Sequence, residues 1–144
     1  MKKSDFIQKL DHAALEAAIV KAETRTSGEI RVVVTHGPAP DAVGAAKGAF
    51  VRLGMAKTRE RNAVLFFVAP ESQTFAVIGD EAVHQKCGDA FWAELAAAMT
   101  GHFKQGEFTA GLQQGIARAG SLLAEHFPPR PDDADELPNT VIEQ

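Results

Sequence analysis

Charged and amide side chains stand at the ends of three apolar segments of the sequence. They precede or open the segments 30–35 and 63–69, and they follow the segment 74–78. Carboxylate and amide oxygens are ligands that Ca²⁺ and Mg²⁺ prefer, whereas arginine and histidine can bind phosphate oxygens. The candidate cation ligands are Glu29, Asn62, Asp80 and Glu81. The candidate contacts to a phosphate, or to another group at the same sheet edge, are Arg31, Arg61 and His84.

The three apolar segments have the composition of β-strands. Val, Ile and Thr restrict χ1 and favour strands, and 30–35 is built almost entirely from them. The segment 63–69 is apolar throughout, which is typical of a central strand buried on both faces. A helical pattern between these two strands predicts a right-handed parallel crossover. The short turn at 70–73 predicts an antiparallel hairpin between the second and third strands.

Four other segments show the apolar spacing of helices behind candidate N-caps. The predicted helices run from Ser4 to about Arg25, from Asp41 to Leu53, from Glu81 to Phe103 with an interruption at Gly88, and from Phe108 to Leu123. The sequence therefore predicts an α/β fold, in which a small mixed sheet packs between about four helices. We expect one domain over residues 1–127 and an acidic, Pro-rich, disordered tail over 128–144.

This topology brings the polar residues to one edge of the sheet. Parallel strands start at the same edge, and the third strand, which runs the other way, ends there. We call this edge, formed by residues 29–31, 61–62 and 79–81, the rim. A cation or partner site at the rim is one interpretation. The alternative is that Asp80 only caps the next helix and Glu29 only pairs with an arginine.

Charge and cysteine content exclude several classes of function. Residues 128–144 carry one basic and five acidic side chains, and the rest of the chain carries 14 of each. A neutral body lacks the clustered Lys and Arg of nucleic-acid-binding proteins, so we expect no nucleic-acid partner. Cys87 is the only cysteine, which excludes an internal disulfide. No nucleophile elbow or His-Glu-x-x-His motif occurs, so no catalytic residue is assigned.

Targeting segments are not evident in the sequence. Asp5, Lys9 and Asp11 interrupt any apolar stretch near the first residue, which argues against a signal peptide. No window approaches the roughly 18 apolar residues of a membrane span. We expect a cytoplasmic protein with no direct membrane span.

Four motifs in register resemble the TPM domain family. They are TSGEIRV at 26–32, RNAVL at 61–65, IGD at 78–80 and FKQGEF at 103–108, and the resemblance extends over roughly residues 5–127. It implies a compact α/β fold and points to the short, soluble bacterial branch. The family is often labelled a phosphatase and is associated with divalent metals. Bacterial members often occur alongside LemA-like membrane proteins, which implies a protein partner.

Three hypotheses follow for the function. The first is an accessory module that binds Ca²⁺, Mg²⁺ or a partner protein at the rim. The second is a metal-dependent acid phosphatase of low activity. There, Arg31 or Arg61 would hold the phosphate and Asp80 or Glu81 would position water. The third is that the rim is solvated surface and that an apolar helix face, with Met55, Phe103 or Phe108, makes the functional contact.

Overall fold

A computed structural model describes residues 10–129 and 139–143. Its elements, in chain order, are α1 (His12–Glu23), β1 (Glu29–Val34), α2 (Ala42–Arg52), a 3₁₀ turn (Met55–Lys57), β2 (Ala63–Ala69), β3 (Thr74–Gly79), α3 (Glu81–Lys104), α4 (Phe108–His126) and β4 (Ile142–Glu143). The strands form one mixed sheet in the order β3-β2-β1-β4. The predicted α/β class is confirmed.

The sheet has the predicted parallel crossover and antiparallel hairpin. β1 pairs in parallel with β2, from Glu29 opposite Ala63 to Val34 opposite Val68. β2 pairs in the antiparallel sense with β3, with Val64 opposite Gly79 at the rim. β2 is buried at every position because it is flanked by a strand on each side and by helices on each face.

Two apolar layers cover the sheet, one on each face. Alternate β1 residues such as Ile30 and Val32 face α1, α3 and α4, whereas Val33 faces α2. This alternation follows from the period of two residues in a strand. α4 lies close to the sheet at Gly115, where a Cβ atom would stand 2.9 Å from Phe66 Cε1. The helices therefore fix the sheet from both sides.

The start of α1 differs from the sequence prediction. Asp11 has extended backbone angles, and its carboxylate accepts a hydrogen bond of 2.9 Å from the Ala14 N–H. A single helix from Ser4 to Arg25 is therefore wrong, because the chain leaves the helical conformation at Asp11, which is the N-cap. Ser4 itself lies outside the described residues. The predicted cap of α2 at Asp41 and the interruption at Gly88 (φ 74°) are confirmed.

β4 is an element that the sequence did not predict. Ile142 and Glu143 pair in parallel with Val33 and Val34 on the outer side of β1. Within the expected disordered tail 128–144, residues 130–138 and 144 lie outside the described part of the chain. A two-residue strand has no periodic pattern of its own, which is why composition alone indicated no element here.

Side chains from elsewhere in the fold hold β4 in place. The Glu143 carboxylate lies 3.2 Å from His12 Nε2 and forms a hydrogen bond of 3.1 Å with His36 Nε2. The Val141 N–H also donates to Glu16 Oε2 at 3.1 Å. β4 is thus fixed to the sheet by contacts with α1 and with the residue that follows β1.

Candidate functional site

The start of β1, the start of β2 and the end of β3 meet at the rim. Glu29 lies opposite Ala63 in the β1–β2 ladder. The Asp80 N–H donates to the Ala63 carbonyl at 2.9 Å, and the Ala82 N–H donates to the Arg61 carbonyl at 3.3 Å. The register therefore brings together the three polar segments from which the rim was defined.

Burial distinguishes the rim from the rest of the described chain. The polar and charged side chains that are buried within residues 10–129 and 139–143 all lie at or beside it; they are Thr26, Ser27, Glu29, Arg31, Thr58, Asn62 and Asp80. Removing polar groups from water is unfavourable unless they find partners. Such a concentration at one edge needs a structural or a functional reason.

Asp80 has a structural role. Its Oδ2 accepts from Arg61 Nε at 2.8 Å, and its Oδ1 accepts from Arg61 Nη2 at 2.9 Å and from the Glu81 N–H at 2.8 Å. Asp80 is therefore both the N-cap of α3 and the partner of a bidentate arginine. Glu81 lies 3.4 Å from Arg61 Nη1. Hydrogen bonding of the Arg61 guanidinium to the Asp80 carboxylate is the main cause that raises the pKa of Arg61.

Asn62 is the centre of a second polar group at the rim. It is 1% exposed, and its Nδ2 donates to Ser27 Oγ at 3.2 Å and to Glu60 Oε2 at 3.4 Å. The Ser27 hydroxyl donates to the same Glu60 oxygen. The Asn62 Oδ1 atom is buried and has no hydrogen-bond partner among the described residues. Sequence reasoning missed Glu60, since nothing in the charged stretch 59–61 marks one of its residues over the others.

The loop between α1 and β1 is tied to the end of α4. The Ser27 N–H donates to the Phe127 carbonyl at 3.0 Å, and the Thr26 hydroxyl donates to the same oxygen. At Gly28, a Cβ atom would stand 3.0 Å from Leu123 Cδ1 and 3.2 Å from the Asn62 carbonyl oxygen, so a larger residue would require these neighbours to shift. Because of these contacts, the start of β1 has a fixed position relative to the helical layer.

Arg31 and Glu29 lie on the face of β1 that α2 covers. Glu29 is 4% exposed and Arg31 is 6% exposed. The Arg31 Nε atom is buried and has no hydrogen-bond partner in the described part of the chain. Burial lowers the pKa of the Arg31 guanidinium. His84, in contrast, is exposed on α3 and does not join these buried groups.

The donor set does not form a preassembled metal centre. Within residues 10–129 and 139–143, no three His, Cys, Asp or Glu side chains are grouped closely enough to hold a metal ion. Both oxygens of Asp80 accept hydrogen bonds from Arg61, whose positive charge would oppose a cation there. A site that uses Glu29, Asn62, Asp80 and Glu81 together would require this ion pair to open.

This chain is similar to known proteins both in sequence and in fold. A model of the TPM domain matches residues 1–122. The chain belongs to the TPM domain family. The NMR structure of the BA42 protein from the psychrophilic bacterium Bizionia argentinensis is 41% identical to this TPM domain, covers 92% of each chain and superposes with a TM-score of 0.85. A comparison with curated proteins found no match.

None of the helices in the described part of this TPM domain combines the length and the apolar character that crossing a bilayer requires.

Proposed function

We propose that this TPM domain is a non-catalytic accessory module that binds a partner protein through the rim. The observation that carries the proposal is that three of the six buried polar atoms without partners among the described residues lie at or beside the rim; they are Arg31 Nε, Thr58 Oγ1 and Asn62 Oδ1. A buried polar group that lacks a hydrogen bond costs about 1–3 kcal/mol. A ligand that supplies the missing partners would recover this free energy on binding.

The chemical types of these atoms favour a protein over a bare cation. Arg31 Nε is a donor, Asn62 Oδ1 is an acceptor, and a threonine hydroxyl is both. A polypeptide offers N–H donors and carbonyl acceptors at close spacing, so it can satisfy all three. A cation could satisfy Asn62 Oδ1 but would be repelled by Arg31. A membrane protein of the LemA type, which the family resemblance implies, is the first partner to examine.

The test uses a substitution that removes only an unpartnered hydroxyl. Thr58→Val is nearly isosteric, and we expect it to leave the free domain folded and to weaken partner binding about 10-fold, the equivalent of one lost hydrogen bond. Affinity for the detergent-solubilised LemA-type protein would be measured by isothermal titration calorimetry. The matched control is Thr100→Val on α3, whose hydroxyl bonds the Ala96 carbonyl within the helix. Equal affinities for wild type and Thr58→Val would show that the rim is not the interface.

A divalent cation is the second candidate ligand. It is favoured by the buried Asn62 Oδ1, which is an available oxygen, and by the Glu29 carboxylate at the same edge. Backbone amide shifts during Ca²⁺ and Mg²⁺ titrations test this. Saturable shifts at residues 28–31 and 60–63 would support a rim cation. Shifts confined to residues 132–136 would exclude one.

A further inference from the structure

We propose that Arg31 is the receptor for an anionic oxygen group, a carboxylate or a phosphate, which a ligand brings to the rim. The inference rests on the proposed binding role of the rim and specifies the chemistry of its ligand. It assigns to Arg31 a role that differs from that of Arg61, the second arginine of the same edge.

The surroundings of the two arginines are opposite in character. Arg61 is 41% exposed and yet has a bidentate carboxylate partner in Asp80. Arg31 is 6% exposed, stands opposite Leu65 in the ladder and is followed on its face by Val33. Its Nε atom is buried and has no hydrogen-bond partner within residues 10–129 and 139–143. Of the two arginines, the more buried one is therefore the one that has an unpartnered donor in the described part of the chain.

A buried guanidinium cannot avoid the free-energy cost of burying its charge by losing its proton. Burial lowers the pKa of Arg31, but arginine stays protonated in proteins at neutral pH. Removing one partner from a buried ion pair is strongly destabilising, because it leaves an uncompensated charge. With respect to the described residues, the buried Nε donor of Arg31 is in a comparable situation, since it has no partner there. Binding of an anion would complete the pair.

The geometry of the guanidinium defines the ligand class. Its planar fork of N–H donors matches the two oxygens of a carboxylate or phosphate, which it binds in a bidentate manner. A cationic or purely apolar group would not compensate the charge. The ligand group at this position is therefore an oxyanion.

The first experiment measures stability and anion binding of Arg31→Met in a phosphate-free buffer. Methionine keeps most of the side-chain volume and removes the charge, so we expect the melting temperature to rise by about 3 °C or more. Wild type should gain stability as inorganic phosphate is added, and its amides at residues 29–32 should shift and saturate. Arg31→Met should show neither response. A lower melting temperature, a failure to fold, or an unchanged phosphate response in Arg31→Met would overturn the proposal.

Two further variants make the result specific. Arg118→Met applies the same chemical change to an exposed arginine of α4, and we expect it to keep the full phosphate response. Arg31→Lys keeps the charge but loses the bidentate fork, and we expect about 10-fold weaker phosphate binding. Equal phosphate affinity of wild type and Arg31→Lys would contradict bidentate recognition.

Parallel titrations with sodium acetate and sodium phosphate, at ionic strength matched with sodium chloride, identify the source of the oxyanion. A response to acetate alone assigns a carboxylate, and a response to phosphate alone assigns a phosphate. No response to either overturns the proposal. If neither Thr58→Val nor Arg31→Met affects partner binding but phosphate still binds at Arg31, then the partner role fails and the anion site stands. If Thr58→Val weakens partner binding and no anion binds, only the anion site fails.

Discussion

Replacing Asp80 tests whether its carboxylate is a structural cap or a ligand that is held ready for binding. The carboxylate is 6% exposed and accepts three hydrogen bonds, two from Arg61 and one from the N–H of Glu81. Asp80→Ala removes all three acceptor contacts. Asp80→Asn keeps an oxygen that can cap α3 but removes the negative charge.

The expected magnitudes follow from these contacts. Loss of an N-cap carboxylate costs about 0.5–2 kcal/mol of the free energy of unfolding. The ion pair adds little to this figure, because the Arg61 guanidinium is 41% exposed and is screened by water and salt. We therefore expect Asp80→Ala to lose about 1–2 kcal/mol. Asparagine is as good an N-cap as aspartate, so Asp80→Asn should lose less than about 1 kcal/mol.

Urea unfolding followed by far-UV circular dichroism measures both values at equal protein concentration. An Asp80→Ala variant within about 0.5 kcal/mol of wild type would refute the structural role, and so would equal losses for Ala and Asn. The same Asp80→Ala protein tests the phosphatase alternative. Because both Asp80 oxygens accept hydrogen bonds from Arg61, we expect phosphomonoester turnover to be the same trace value in wild type and variant. A clear loss of turnover in the variant would instead support a catalytic Asp80.

Two further predictions concern the helical layer. Gly115→Ala places a Cβ atom 2.9 Å from Met99 Sδ and from Phe66 Cε1, so thermal unfolding should show a loss of about 1–3 kcal/mol, and wild-type stability would contradict the close packing of α4. Hydrogen bonds to Glu107 and Gln114 raise the pKa of His102, so its contribution to stability is complete below about pH 6.5 and is lost as pH rises through the folded-state pKa. The stability difference between wild type and His102→Asn should therefore be larger at about pH 5.5 than at about pH 8.5, and no change between these pH values would refute it.

The central sheet could be predicted from the sequence because composition indicates its strands and general rules of connection determine how they pair. The apolar run of β2 and the β-branched run of β1 specify strands by composition. The handedness of crossovers and the shortness of the hairpin then determine how the strands pair. The convergence of Glu29, Asn62 and Asp80 follows from this pairing without any knowledge of side-chain contacts.

The partners within the rim could not be predicted in the same way. Arg61 has φ 54° and pairs with Asp80, which lies 19 positions later in the chain. The Arg31 Nε atom, in contrast, has no hydrogen-bond partner among the described residues, although Glu29 is only two residues away. Which arginine meets which carboxylate depends on side-chain directions and on distances below about 4 Å, and sequence spacing does not report these. For the same reason, the hydrogen bond between Asn62 and Glu60 could not be predicted from the sequence. Nor could the position of β4, where Glu143 contacts His12 and His36.

At Arg31, a charged side chain interrupts the apolar pattern of a buried strand. The other four residues of β1 after Glu29 are Ile or Val, and a fifth apolar side chain at position 31 would pack against α2 at no electrostatic cost. Sequences that specify one structure are consistent across levels, and their exceptions concentrate at functional or strained sites. The β1 backbone shows no left-handed residue, so strain does not account for this exception. A role that requires a charge at the rim accounts for it, and for that reason the Arg31→Met experiment is the most direct test of the function.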